Sequence, residues 1–265
     1  MRLTFETPLF TWYVLLLSFI SGSIAGSFIP CMAGRISEKK DWIKGHSVCD
    51  HCGHQLGAGD LVPILSWLIH KGKCKYCGEK VPVKYTLIEI AMGVMFALIA
   101  LHHQVLTPLI LRDWIFVSIL LGLSLVDLET FEIPDGFIIA GIANWLVFLL
   151  LSGFLYKKNM VEMLKSDLIG GIGIAGGMLL MSIIMDKIIK KESLGGGDIK
   201  LFFVTGLYLG LLNGFLALMM SCVIGLLFVA IRKSDKIPYG PSIAIATVIC
   251  MFIGDPIVSW YLSLF

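Results

Sequence analysis

Long apolar runs alternate with short polar segments along almost the whole chain, and most runs exceed what a buried strand or core helix requires. A helix crossing a bilayer needs roughly 20 predominantly apolar residues. Eight stretches approach that pattern, at about 10–32, 85–103, 112–128, 137–156, 168–189, 199–212, 213–232 and 240–263. The sixth and seventh share one apolar stretch, Ile199 to Ile231, which is too long for a single crossing. It divides at Gly210-Leu211-Leu212-Asn213-Gly214, where two glycines and an asparagine favour a turn. The first run is too long for a cleaved secretory signal, and a basic segment follows it, as expected of a retained anchor.

Composition agrees. Of 265 residues, 57% are hydrophobic, 15% are charged, and the mean hydropathy is +0.88. Soluble domains sit nearer 45–50% apolar, so the excess points to lipid as solvent. The net charge of +2 says little about partners, and nothing suggests nucleic-acid binding. The placement of charge says more. With eight crossings and the N-terminus outside, the inner segments are 33–84, 129–136, 187–200 and 232–239. They hold 16 of the 21 Lys and Arg residues, and the outer segments hold Arg2, Arg112, Lys157, Lys158 and Lys165. Basic residues favour the cytoplasmic side, so this orientation is preferred over its inverse.

Residues 33–84 form the one sizeable polar insertion. It carries Cys49-Asp50-His51-Cys52-Gly53 and Cys74-Lys75-Tyr76-Cys77-Gly78. Two Cys-x-x-Cys pairs, each followed by a glycine that permits a tight turn, match a tetrathiolate zinc site. A redox pair would leave the second motif unexplained, and disulfides do not suit a cytosolic loop. A closed shell of Cys49, Cys52, Cys74 and Cys77 leaves no position for water, so the Zn2+ is structural. His46, His51 and His54 read as loop residues. The apolar run Leu61 to Ile69 is expected to lie against the membrane or the first helices. Cys31, Cys222 and Cys250 lie in apolar segments and receive no role. The expected fold is an all-α polytopic membrane protein: a first helix at 1–32, a cytosolic zinc loop at 33–84 and a membrane-embedded peptidase domain at 85–265.

Ionisable residues in or beside membrane helices are functional candidates by default. Asp127 ends the third run, and Asp198 lies in Leu194-Gly195-Gly196-Gly197-Asp198-Ile199-Lys200 immediately before the sixth. The charge-derived topology puts both at the cytosolic side. Two facing carboxylates near apolar walls do not both ionise easily and can hold one shared proton. One then activates a water, while the other polarises a scissile carbonyl and helps protonate the leaving amine. The plainer readings are caps and turns. Asp198 can N-cap its helix, and Asp135 after Pro134 is expected to cap the fourth. Asp186 reads as an interfacial charge, Asp255 as part of a turn, and Glu89 as a structural partner of Arg35.

Taken in order, these features resemble the bacterial type IV prepilin peptidases, aspartyl proteases of the GxGD type. The match runs through Gly26-Ser27-Phe28, the doubled cysteine loop with Leu61 to Trp67, and Asp127 with Ile133-Pro134-Asp135. It continues through Gly195 to Leu201 and ends at Ile237-Pro238-Tyr239-Gly240-Pro241. Where many members have asparagine in the first motif this chain has Pro30, closer to the competence-pseudopilin branch. The resemblance implies a bacterial cytoplasmic-membrane enzyme that removes the short leader from prepilins or pseudopilins, in pilus, secretion or competence systems. It implies Asp127 and Asp198 as catalytic residues, with Gly195, Gly197 and Lys200 in support. It also implies methylation of the new N-terminus from S-adenosylmethionine, with Arg35 and Glu89 as participants or a structural pair. The rival readings are a presenilin-type intramembrane protease, a non-enzymatic assembly factor docking through its zinc loop, and a proton-coupled transporter.

Overall fold

The computed structural model describes every residue except 1, 2, 5, 6, 43, 44, 157, 158, 192, 233–236 and 265. Arg2, Lys44, Lys157, Lys158, Lys233 and Lys236, all used in the charge count, therefore lie outside the described residues. The elements are β1 (Leu3–Thr4), α1 (Pro8–Ser37), a 3₁₀ turn at Ala58–Leu61, α2 (Leu65–Ile69) and α3 (Val83–His103). Then follow β2 (Val105–Leu106), α4 (Pro108–Thr130), α5 (Asp135–Tyr156), α6 (Met160–Ile189), α7 (Gly196–Arg232) and α8 (Gly240–Leu262). Among the described residues seven helices, all but α2, are long and apolar enough to cross a membrane. The chain is an all-α membrane protein apart from the antiparallel pairing of β1 with β2, which hydropathy did not foretell.

Six of the eight expected crossings are separate helices, and the other two are the halves of α7. At Gly210 the backbone leaves helical geometry, with φ 72° and ψ −176°. Only glycine adopts such a conformation readily. The partners on α8 reveal what the break does. Phe202 lies beside Tyr239 and Thr205 meets Thr247, so the first half runs parallel to α8. Beyond the break, Asn213 meets Asp255 and Ser221 meets Tyr239, so the second half runs antiparallel to it. The two halves form a hairpin, and a Cβ placed on Gly214 would stand 3.5 Å from Gly206 Cα.

Some boundaries move. α6 starts at Met160, well before the expected 168. The added turns are amphipathic: Met163, Leu164 and Leu168 pack against a buried cluster of Trp145, Leu149 and Leu207. Asp167, polar in that stretch, accepts a hydrogen bond from Trp145 Nε1 at 2.9 Å. Asp255, expected in a turn, lies inside α8 and accepts from Asn213 Nδ2 at 2.6 Å. A local Gly-Asp-Pro signal is overridden there by a helix that continues through Pro256.

The chain divides into two compact units, Met1–Trp114 and Ile115–Phe265, with the boundary inside α4. In the first, α1 and α3 pack antiparallel through glycines. A Cβ on Gly22 would strike the carbonyl of Met92, and one on Gly26 would lie 2.9 Å from Glu89 Cα. In the second, α6 and α7 approach even more closely. A Cβ on Gly206 would lie 2.5 Å from Gly170 O, and one on Gly170 would strike Gly206 O. Apolar helices gain no hydrophobic drive from one another in lipid, so close backbone approach between small residues supplies the attraction.

Candidate active site

The second unit brings the two singled-out aspartates to one level. α4 and the first half of α7 run antiparallel, with Phe116 and Tyr208 stacked at 3.6 Å. From that stack Asp127 is eleven residues along α4 and Asp198 ten residues back along α7, roughly 16 and 15 Å at 1.5 Å per residue. α8 gives the same answer. Thr205 and Thr247 meet at 3.1 Å, and seven residues back along each helix lie Asp198 and Gly240. The side chains of Asp127 and Asp198 are near enough for their charges to interact.

Asp127 is buried, with 4% of its surface exposed. Its Oδ2 accepts the backbone N–H of Gly240 at 2.8 Å, from the first residue of α8. A Cβ on Gly240 would stand 2.7 Å from that oxygen, so the position has no room for a side chain. Sequence reading flagged the segment but missed this contact. A backbone donor leaves no side-chain signature, and the partners are 113 positions apart.

Asp198 is half-buried and lies in the first turn of α7. The capping reading fails for it, because Gly195 occupies the position before the helix. The glycines do separate work. A Cβ on Gly195 would be 3.0 Å from Asp198 Oδ2, and one on Gly197 would be 3.0 Å from Ile133 Cβ. Gly195 leaves space for the carboxylate, and Gly197 lets the helix start seat against the α4–α5 connection. Lys200 Nζ pairs with Asp135 Oδ1 at 2.7 Å on the exposed side. Asp135 therefore stands as the first residue of α5 rather than as its cap, and ties that start to the start of α7. Asp186 closes the end of α6 by accepting the Ser193 N–H at 2.6 Å.

In the first unit the four predicted thiols converge: the Sγ atoms of Cys49, Cys52, Cys74 and Cys77 all lie within 4.8 Å of one another. Gly53 and Gly78 take φ values of 68° and 75°, as the knuckle turns require. Within the knuckles Gly53 N donates to Cys49 O and Gly78 N to Cys74 O, each at 2.9 Å. Backbone N–H groups of Cys52 and His51 draw the Cys49 thiol down to about 6. The N–H of Glu79 lowers Cys77 too, but burial and its three neighbouring thiols push it up to about 12. Four thiolates at this spacing repel unless a cation sits among them, which is what a metal supplies. His54 packs against Tyr76 at a tilt of 31°, with ring centroids 3.6 Å apart, outside the cluster.

The expected Arg35–Glu89 pair does not form. Arg35 donates to Gly45 O at 2.9 Å and His46 O at 2.7 Å, folding the start of the loop onto the end of α1. Glu89 Oε2 instead accepts the Ile64 N–H at 2.7 Å. Ile64 has φ 63° and ψ −51°, with Leu65 N bonded to Pro63 O. This is the rare positive-φ γ-turn, strained for a β-branched residue. Both charges thus choose backbone partners that residue types do not disclose. The sequence reading also passed over Asp113, buried and held by His103 Nε2 and Arg112 Nε at 2.7 Å each. An Arg-Asp dipeptide opening an apolar run was its signal.

Comparison with known proteins divides the chain in much the same place. Residues 20–103 match the bacterial peptidase A24 N-terminal domain, and residues 114–230 match the type IV leader peptidase family. A Bacillus subtilis (strain 168) protein named prepilin leader peptidase/N-methyltransferase is 32% identical over 253 residues, covering 93% of this chain and 97% of its own. The chain belongs to the type IV leader peptidase family. Proteins of the same name from Aeromonas salmonicida (strain A449) and Vibrio cholerae are 30% and 29% identical over 241 and 256 residues. Those matches cover 85% and 91% of this chain, and 77% and 96% of the relatives. No solved structure matches. Leader peptidases of this family are proteases, and Asp127, Asp198, Gly195 and Gly197 fall inside the leader peptidase match, whereas Gly240 lies beyond it.

Proposed function

We propose that this leader peptidase removes the leader from type IV prepilins or pseudopilins with Asp127 and Asp198 as a catalytic pair, and methylates the new N-terminus. The observation that carries the peptidase reading is the convergence of Asp127, Asp198 and the Gly240 N–H at one level of the second unit. One carboxylate takes a proton from water as it attacks the scissile carbonyl. The other donates to the carbonyl oxygen, and its partner returns a proton to the leaving amine. Gly195, Gly197 and the Lys200–Asp135 pair support the site by fixing where α7 begins.

The tetrathiolate loop fits a structural Zn2+, held by Cys49, Cys52, Cys74 and Cys77. Basic-residue placement supports an N-terminus outside, with the loop and both aspartates facing the cytosol, where precursors arrive. The working division is α1, the loop at 33–84, and a peptidase domain within 85–265. Methyl transfer needs a donor such as S-adenosylmethionine, which supplies an electrophilic methyl group to the freed amine. The first unit has a cleft of about 270 Å³ suited to part of such a molecule. Phe28, Met32 and Trp42 offer apolar walls there, and Ser27, Ser47 and Arg35 offer polar groups. Similarity to leader peptidases over nearly the full length, loop half included, tells against the presenilin-type, assembly-factor and transporter readings.

The test is incubation of the purified protein with a leader-bearing prepilin and labelled S-adenosylmethionine, with cleavage and label scored separately. Asp127→Asn and Asp198→Asn are each expected to lower cleavage by roughly 10²–10⁴-fold while the protein stays folded in the membrane. Normal cleavage by either variant would end the two-aspartate mechanism.

A further inference from the structure

The segment Ile237-Pro238-Tyr239-Gly240-Pro241 is anchored at two points. One is the Gly240 N–H on Asp127 Oδ2. The other is the Tyr239 hydroxyl, 2.7 Å from Ser221 Oγ on the second half of α7 and 3.4 Å from Cys222 Sγ. Hydrogen accounting fixes a direction. Ser221 Oγ donates its single proton to Leu218 O at 2.7 Å, so the phenol must donate to Ser221. Burial pushes the Tyr239 phenol well above the usual tyrosine range, so it keeps its proton. Space is tight beneath the ring, where a Cβ on Gly225 would come within 3.2 Å of Tyr239 Cε2. Pro241 follows, with no N–H of its own, and the first turn of α8 closes through Ser242 N and Ile243 N on Tyr239 O.

We propose that Tyr239 is a positioning residue of the peptidase site: its hydroxyl, fixed on Ser221, sets the entry of α8 so that the Gly240 N–H holds Asp127 Oδ2. The inference rests on the peptidase reading above. The Gly240 N–H takes one of the lone pairs of Oδ2 and disfavours a proton on that oxygen. The mobile proton then falls to Asp127 Oδ1 and to Asp198. The two carboxylates are then unlike by construction. One has an oxygen committed to the backbone of a third helix, and the other opens from a glycine turn. The hairpin at Gly210 matters here too, because it returns Ser221 to the level of the α8 entry.

The experiment is steady-state cleavage of a prepilin peptide by the full-length protein and by Tyr239→Phe, Ser221→Ala and the double variant. Losing this hydrogen bond is expected to lower kcat about 3- to 10-fold at unchanged KM, with thermal unfolding in detergent only slightly lowered and by a similar amount in both single variants. The double variant should be no worse than either single one, because both remove the same link. Ser221→Thr, which keeps the accepting oxygen, should restore kcat. A normal kcat in Tyr239→Phe overturns the proposal, as does a rise in KM alone, an additive double variant, or a rate loss that follows thermal stability. Should Tyr239→Phe fail to fold, Ser221→Ala poses the same question without touching the ring. If the unaltered protein cleaves nothing, the peptidase reading fails and the anchor with it. If it cleaves and Tyr239→Phe matches its kcat, the anchor alone is overturned.

Discussion

The cysteine loop and the aspartate site solve the same problem, converging polar groups in an apolar protein, by opposite means. The loop draws four thiols from one stretch between Cys49 and Cys77 and closes them with backbone turns of the same stretch. The aspartate site takes one group each from α4, α7 and α8, and none is near another in sequence. Local convergence relies on positive-φ glycines, which leave four thiols close enough together to hold a metal. Distant convergence relies on helices brought together by residues with no side chain, at Gly170, Gly206 and Gly240. The lesson is that each site is best disrupted by a different kind of substitution.

The largest separation should come from Cys49→Ser with Cys74→Ser. About one zinc per chain is expected by elemental analysis, and this variant should lose it. Cleavage by the second unit should fall far less than it does in the aspartate variants. Equal loss of both would erase the distinction. Acid tests it without mutation. Each thiol must shed its proton to bind metal, so lowering the pH from 8 to 5 favours the protonated, metal-free form. Metal should be released as the pH falls and regained as it rises, followed by a chromogenic chelator.

A smaller effect is expected in the second unit from Gly206→Val. Its Cβ would meet Gly170 O at 2.5 Å, and overpacking of that kind costs about 1–3 kcal/mol or more. Gly176→Ala, with nothing within 4 Å of the new atom, should be neutral or slightly stabilising. Thermal unfolding in detergent separates the two, while metal content should not change in either. The most local effect belongs to Glu89. Glu89→Ala frees the Ile64 N–H and should cost about 1–3 kcal/mol, whereas Glu89→Gln keeps an acceptor and most of the stability. Amide exchange at Ile64 reports it. Equal acceleration in both variants would point to the charge rather than the hydrogen bond.

What could be read beforehand follows the same division. Hydropathy found the crossings, and the glycines at 210–214 marked the hairpin, because lipid demands long uninterrupted runs and a turn demands special residues. The thiols were legible because a metal site is written in residue types at fixed spacing. Asp127 and Asp198 stood out as charges that apolar runs do not carry without reason. Gly240 as a hydrogen-bond donor did not stand out, nor did the backbone partners of Arg35 and Glu89, since every residue but proline offers the same N–H and carbonyl. Which of 28 glycines lie at helix contacts was equally hidden, because that depends on how faces meet rather than on the chain itself.

The bond from Gly240 to Asp127 also sets an order in time. A ribosome adds about 5–20 residues per second, and N-terminal units fold first. The thiols are all available once Cys77 has emerged, whereas Asp127 waits for Gly240, with more than 160 further residues to be made. At those speeds the interval is roughly ten to thirty seconds. A nascent chain therefore completes its thiol cluster well before the proposed catalytic site, and a product that ends before Gly240 lacks the bond that holds Asp127.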